Sequence, residues 1–208
     1  MVTVPRRRSA LTSLLLLGAV VLTACGDEKA GAAADPAALA SRAQTRGIAP
    51  ELVYATDVPG HTLAPQSVGV LGDDGFSATY VSPKGGLVRL AVDRGTIGAA
   101  DCAEQPAWPA GAAEAVPVTC VRDGDAWFRS GGDWAEYALP KRGFVIRVSG
   151  TGVPRDTLRE AADRVHRPTA DDLDALLPPE PDRGAPVERG DLPTNGDGAP
   201  DNDTDAGG

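Results

Sequence analysis

The 208-residue chain predicts an α+β domain, an antiparallel β meander covered by C-terminal helices. Three observations predict it. All nine aromatic residues fall between Tyr54 and Phe144, and aromatic side chains carry large buried areas, so the core belongs to that stretch. Within it, short runs of β-branched and aromatic residues are separated by tight turns rich in Gly, Pro and Asp. Beyond it, the apolar spacing changes to that of a helix.

Taken in order, Phe76 to Val81 and Leu87 to Val92 read as a hairpin across Ser82-Pro83-Lys84-Gly85-Gly86. Val116 to Arg122 leads through Asp123-Gly124-Asp125 into Ala126 to Arg129. Ser130-Gly131-Gly132 then turns into Trp134 to Leu139, and Pro140-Lys141-Arg142-Gly143 into Phe144 to Ser149. In the last strand Phe144, Ile146 and Val148 share one face and Val145, Arg147 and Ser149 the other. Short turns between successive strands give antiparallel neighbours. Pro154 opens a helix to about His166, with Leu158, Ala161, Ala162 and Val165 on one face. Thr169 and Asp172 suit a capping box for a last short helix carrying Leu173, Leu176 and Leu177. One face of an antiparallel sheet needs cover, and these helices supply it.

The flanks differ in character. Arg6, Arg7 and Arg8 precede an uncharged segment whose apolar heart runs from Leu11 to Leu22. That is short for a bilayer span, which needs about 20 apolar residues, and it suits the apolar region of a secretory signal. It ends in Leu22-Thr23-Ala24-Cys25-Gly26. This stretch resembles the lipobox of bacterial lipoprotein precursors. The resemblance covers the first 26 residues and implies that Leu22, Thr23 and Ala24 are read by a signal peptidase, that cleavage falls before Cys25, and that Cys25 carries a diacylglyceryl group. Two acyl chains suffice for stable membrane residence where one does not. The expected location is therefore the extracytoplasmic face of the cell membrane, with the bilayer as partner through the lipid.

Asp35-Pro36 suits a helix start, yet the small, Ala-rich stretch around it reads as a tether. From Pro178 onward the chain holds six Pro, six Gly, eight acids and two Arg and almost nothing to bury, so it reads as disordered. The expected organisation is a signal peptide over 1–24, a lipidated tether over 25–49, a globular domain over 50–177 and an acidic Pro/Gly-rich tail over 178–208.

With Cys25 assigned to lipid, Cys102 and Cys120 remain, with 17 residues between them. Outside the cytoplasm such a pair is usually oxidised, and closing that loop stabilises the fold by about 3 kcal/mol in the chain-entropy model. Two separate buried thiols are the alternative; metal binding is disfavoured because no Cys-x-x-Cys or His spacing accompanies them.

Removal of residues 1–24 leaves 17 basic and 29 acidic residues, a formal charge of −12. Such a chain repels nucleic acid, which excludes that class of partner. The strands and helix from Cys120 to Leu177 are similar in pattern to small actinobacterial extracytoplasmic domains of unknown function, a resemblance that implies a fold and a compartment and no functional residue.

Chemistry-bearing motifs are sparse. Asp201, Asp203 and Asp205 begin like a calcium loop, but Ala206 stands where Gly is required. His61 lies in a Pro-Gly-His loop and His166 at an expected helix C-terminus, where a cation meets the helix dipole. No Gly-x-Ser-x-Gly, Ser-x-x-Lys or phosphate-cradling glycine motif is present. Asp73-Asp74-Gly75 and Asp123-Gly124-Asp125 fit turns. Trp127 and Trp134, on adjacent strands, offer a binding platform as neighbours on one face, or core packing; Trp108 is the third tryptophan. No cofactor and no metal site are expected. The leading expectation is a non-enzymatic lipoprotein that binds an envelope protein or a cell-wall component; the alternatives are an envelope hydrolase using a carboxylate pair and a small solute-binding lipoprotein.

Overall fold

A computed structural model describes residues 31–107 and 117–180. The signal segment, Leu22 to Cys25, Trp108 and the tail beyond 180 lie outside the described residues. Eight antiparallel strands form one sheet: β1 Thr62–Leu63, β2 Gly69–Leu71, β3 Gly75–Val81, β4 Leu87–Arg94, β5 Thr119–Asp123, β6 Ala126–Gly131, β7 Trp134–Lys141 and β8 Phe144–Thr151. The expected meander is β5 to β8. The spatial order is β1-β3-β4-β8-β7-β6-β5, with β2 also paired to β3, so the last meander strand closes onto the earlier β3–β4 hairpin.

Two glycines make close approaches possible. A Cβ on Gly150 would stand 2.9 Å from the Leu87 carbonyl of the neighbouring β4, and one on Gly75 would stand 2.6 Å from that of Leu71. Neither position tolerates a side chain without backbone movement.

The first face of the sheet carries Phe76, Ala78, Val88, Leu90, Val92, Ile146 and Val148, all buried. Three helices cover it: α1 Pro36–Thr45, α2 Arg155–Asp163 and α3 Ala170–Leu176. Leu158 and Ala161 of α2 and Leu173 and Leu176 of α3 enter this core, as the helical spacing predicts. The Thr169–Asp172 capping box forms in full.

The expected tether over 25–49 is corrected by α1. Asp35 accepts from the Ala38 N–H at 2.8 Å, Pro36 opens the helix, and Leu39 and Ala43 bury in the main core. Arg42 ties α1 to α3 through Asp174 at 2.6 Å and the Leu177 carbonyl at 3.1 Å. Ala-rich composition hid this helix because only two of its residues face the core. The folded unit begins at Gly31.

Candidate functional site

The second face of the sheet lies opposite the helices. It is polar, and among the described residues a loop covers half of it. Register places Thr79, Arg89, Ser149, Glu136 and Arg129 side by side across β3, β4, β8, β7 and β6. The next rung along the strands holds Ser77, Ala91, Arg147, Ala138 and Trp127.

Arg129 and Glu136 are buried, at 0% and 1% exposure. Arg129 Nη1 donates to Glu136 Oε1 at 2.7 Å, its Nε to the Cys102 carbonyl at 2.9 Å, and its Nη2 to the Gln105 carbonyl. Arg147 Nη1 donates to the same Glu136 oxygen at 2.9 Å. Its Nη2 reaches Gln105 Oε1 at 2.6 Å and its Nε reaches Asp93 Oδ1 at 3.3 Å. One carboxylate oxygen thus holds two guanidinium groups, and both guanidinium groups hold the loop above them. A buried charge persists only when paired and hydrogen-bonded in this way.

That loop runs from Ile97 through Cys102 to Pro106. Ile97 and Cys102 pack on Ala138 and Val145 of the sheet, with Trp127 and Cys120 beside them. Cys102 and Cys120 stand at disulfide distance, with Cα atoms 6.1 Å apart. Asp101 braces the loop by accepting from Gln105 Nε2 at 2.6 Å and the Gly98 N–H at 2.7 Å. These donors, Gln105 first, hold its carboxyl below the usual range.

Among the described residues, the other half of the face forms a groove of about 720 Å³. Arg89, Asp93, Glu136 and Arg147 line it between Ala107 of the loop and the β2–β3 turn at Asp73. Burial lowers the pKa of Arg89. At the rim Arg94 Nη2 pairs with Asp74 at 2.6 Å and Glu51 at 2.7 Å. Guanidinium and carboxylate groups therefore alternate along one concavity, an arrangement that receives a ligand bearing both charges or both hydrogen-bond polarities.

Trp127 and Trp134 share this face but do not form a paired platform. Trp127 lies opposite Ala138 and Trp134 opposite Gly131, with the Arg129–Glu136 rung between them. Each instead carries a guanidinium: Arg122 lies 5.2 Å from the Trp127 ring and Arg129 lies 5.3 Å from the Trp134 ring. Register, which the sequence leaves open, separates them.

His166 is three residues past the end of α2, where it meets both the C-cap carbonyl of that helix and a carboxylate. Its Nδ1 meets the Arg164 carbonyl at 2.7 Å and its Nε2 meets Asp172 Oδ2 at 3.0 Å. Both neighbours accept, so the doubly protonated ring satisfies both. Burial works against that charge, but the Arg164 carbonyl and Asp172 outweigh it and raise the pKa. His61 Nδ1 donates to the Pro59 carbonyl at 2.8 Å.

The two acidic turns hold their expected places. Asp123, the last residue of β5, accepts from Tyr137 Oη at 2.8 Å, from Arg155 at 2.8 Å and from Arg159. These donors, Tyr137 first, lower its pKa. Among the described residues no cluster of three His, Cys, Asp or Glu side chains is placed to hold a metal ion, and no helix is long and apolar enough to cross a membrane.

The groove residues Arg89, Asp93, Glu136 and Arg147 escaped the sequence reading as a group. Their only signal is charge at alternating positions inside otherwise apolar strands, which acquires meaning once register aligns the strands. No known family matches the sequence, and no curated protein matches it.

Proposed function

We propose that the protein is a membrane-anchored, extracytoplasmic lipoprotein that binds an envelope partner through the charged groove, without catalysis. The groove carries the binding part of the reading: about 720 Å³ floored by a guanidinium–carboxylate network whose members hydrogen-bond one another. The run from Arg6 through Cys25 supports the location. The oxidised Cys102–Cys120 bridge belongs to the same reading, since it pins the loop that walls the groove.

Intact mass from native membranes tests the location. The expected result is loss of residues 1–24, a diacylglyceryl increment and no thiol open to alkylation without reductant. Cys25→Ala moves the protein from the membrane fraction to the soluble fraction. A photo-crosslinking side chain in place of Asp73 captures a partner in cells, and one in place of Asp125, at the sheet edge, does not.

A hydrolase is the second reading, because Asp93 and Glu136 meet at Arg147 in one cleft. Two of the donors around them are already spent on Glu136 Oε1, which supports a structural role for that acid. Turnover of envelope glycan by the purified protein that vanishes in Asp93→Asn would replace the binding reading.

A further inference from the structure

The lipid at Cys25 sets more than the compartment. The folded unit begins at Gly31, so five residues, Gly26 to Ala30, separate it from Cys25. A fully extended chain of that length spans about 20 Å. The leading segment does not run free from there. Ala33 forms a bridge with Thr169. Ala34 N–H donates to the Pro168 carbonyl at 3.0 Å, and Ala170 N–H donates to the Ala32 carbonyl at 2.8 Å. Gly31 lies so close that a Cβ there would stand 3.2 Å from Thr169 Cβ. The chain is thus fastened to the start of α3 immediately after the leash.

The position of α3 on the sheet gives this a direction. Asp172 and Leu176 of α3 line one cavity with Leu63 of β1 and Tyr80 of β3. The helix therefore lies over the β1–β3 side. β5 occupies the other end of the strand order, five steps from β3, which at the usual strand spacing is about 24 Å.

We propose that the membrane surface is the partner of the β1–β3 side of the domain: the short leash keeps the start of α3 beside the lipid head groups and turns the β5 edge away from them. This rests on lipidation at Cys25. Charge does not hold the domain there. The acids of α3 are largely met by cations packed beside them, Asp174 by Arg42 at 2.6 Å and Asp172 by His166 at 3.0 Å, so the face presents no basic patch to anionic head groups. The constraint is the leash alone, so it disappears when the leash is lengthened.

The test uses the full lipidated protein in phosphatidylethanolamine–phosphatidylglycerol vesicles that carry an energy-acceptor lipid. A fluorescent side chain replaces Asp171 in one variant and Asp125, in the β5–β6 turn, in another. Transfer from position 171 is expected to exceed that from 125 by about twofold or more, given the width of the sheet. Insertion of about 15 Gly/Ser residues after Ala30, a flexible coil, brings the two values together. Equal or reversed transfer in a vesicle-bound protein of lipidated mass overturns the proposed orientation and leaves the lipoprotein reading intact. A protein of unlipidated mass that fails to sediment with vesicles overturns both.

Discussion

Glu136 stands between the buried Arg129 and the partly exposed Arg147, at the floor of the groove, and is itself buried. Glu136→Gln keeps the shape and removes the charge, leaving a buried guanidinium without its counter-ion. The expected cost is about 3 kcal/mol or more, read from urea denaturation. Arg129→Met with Glu136→Leu removes both charges and recovers much of that loss, because a well-packed apolar pair often matches a buried ion pair. His166 predicts a different response. Its folded pKa is raised, so its contribution is complete below the unfolded value of about 6.5 and is lost as pH rises through the folded one. Asp172 acts oppositely. Burial opposes its ionised form, but hydrogen bonds from Thr169 and His166 prevail and lower its pKa. Its contribution is present above the unfolded value of about 3.9 and is lost as pH falls through the folded one. Thermal stability attributable to the pair is therefore greatest between those unfolded values, and His166→Gln flattens the alkaline side of the profile.

At the scale of elements, α2 is held by a specific clasp in addition to its apolar face. Asp123 gathers Tyr137, Arg155 and Arg159, and the Arg155 guanidinium lies 4.0 Å from the Phe128 ring centre. Asp123→Ala is expected to raise amide exchange in α2 while the β3–β4 hairpin keeps its protection. The helix itself was legible in the sequence, because Leu158, Ala161 and Ala162 recur at its period. The clasp was not: no spacing along the chain joins Arg155 and Arg159 to Asp123, 32 and 36 positions earlier. The meander strands were equally legible, since glycine-bearing turns punctuate alternating runs. β1 and β2 were missed, having two and three residues respectively, too few to show a period. The charged groove was illegible for the same reason as the clasp. Its members lie on different strands, and no spacing along the chain announces a neighbour across a sheet.

For the whole molecule, the folded boundaries differ from those expected at one end. Gly31, rather than residue 50, opens the unit. Leu177 at the other end is fully buried. A fragment of residues 31–180 is expected to melt as cooperatively as the mature chain. A fragment starting at residue 50 loses Leu39, Ala43 and Ile48 from the core, and its midpoint falls in circular-dichroism melts. Leu39→Ala alone costs about 2 kcal/mol or more through the cavity it leaves.

The pairing of β4 with β8 carries a kinetic consequence. It joins Leu90 to Val148, 58 positions later in the chain, whereas paired residues inside the β5–β8 meander lie at most 17 positions apart. Loop-closure entropy must be met before that long-range contact returns any energy. The meander therefore forms first, and closure of the β3–β4 hairpin onto β8 limits the folding rate. Gly150→Ala, which crowds the β4–β8 seam, should slow refolding in a stopped-flow chevron, while changes in the β6–β7 turn should leave that rate nearly untouched.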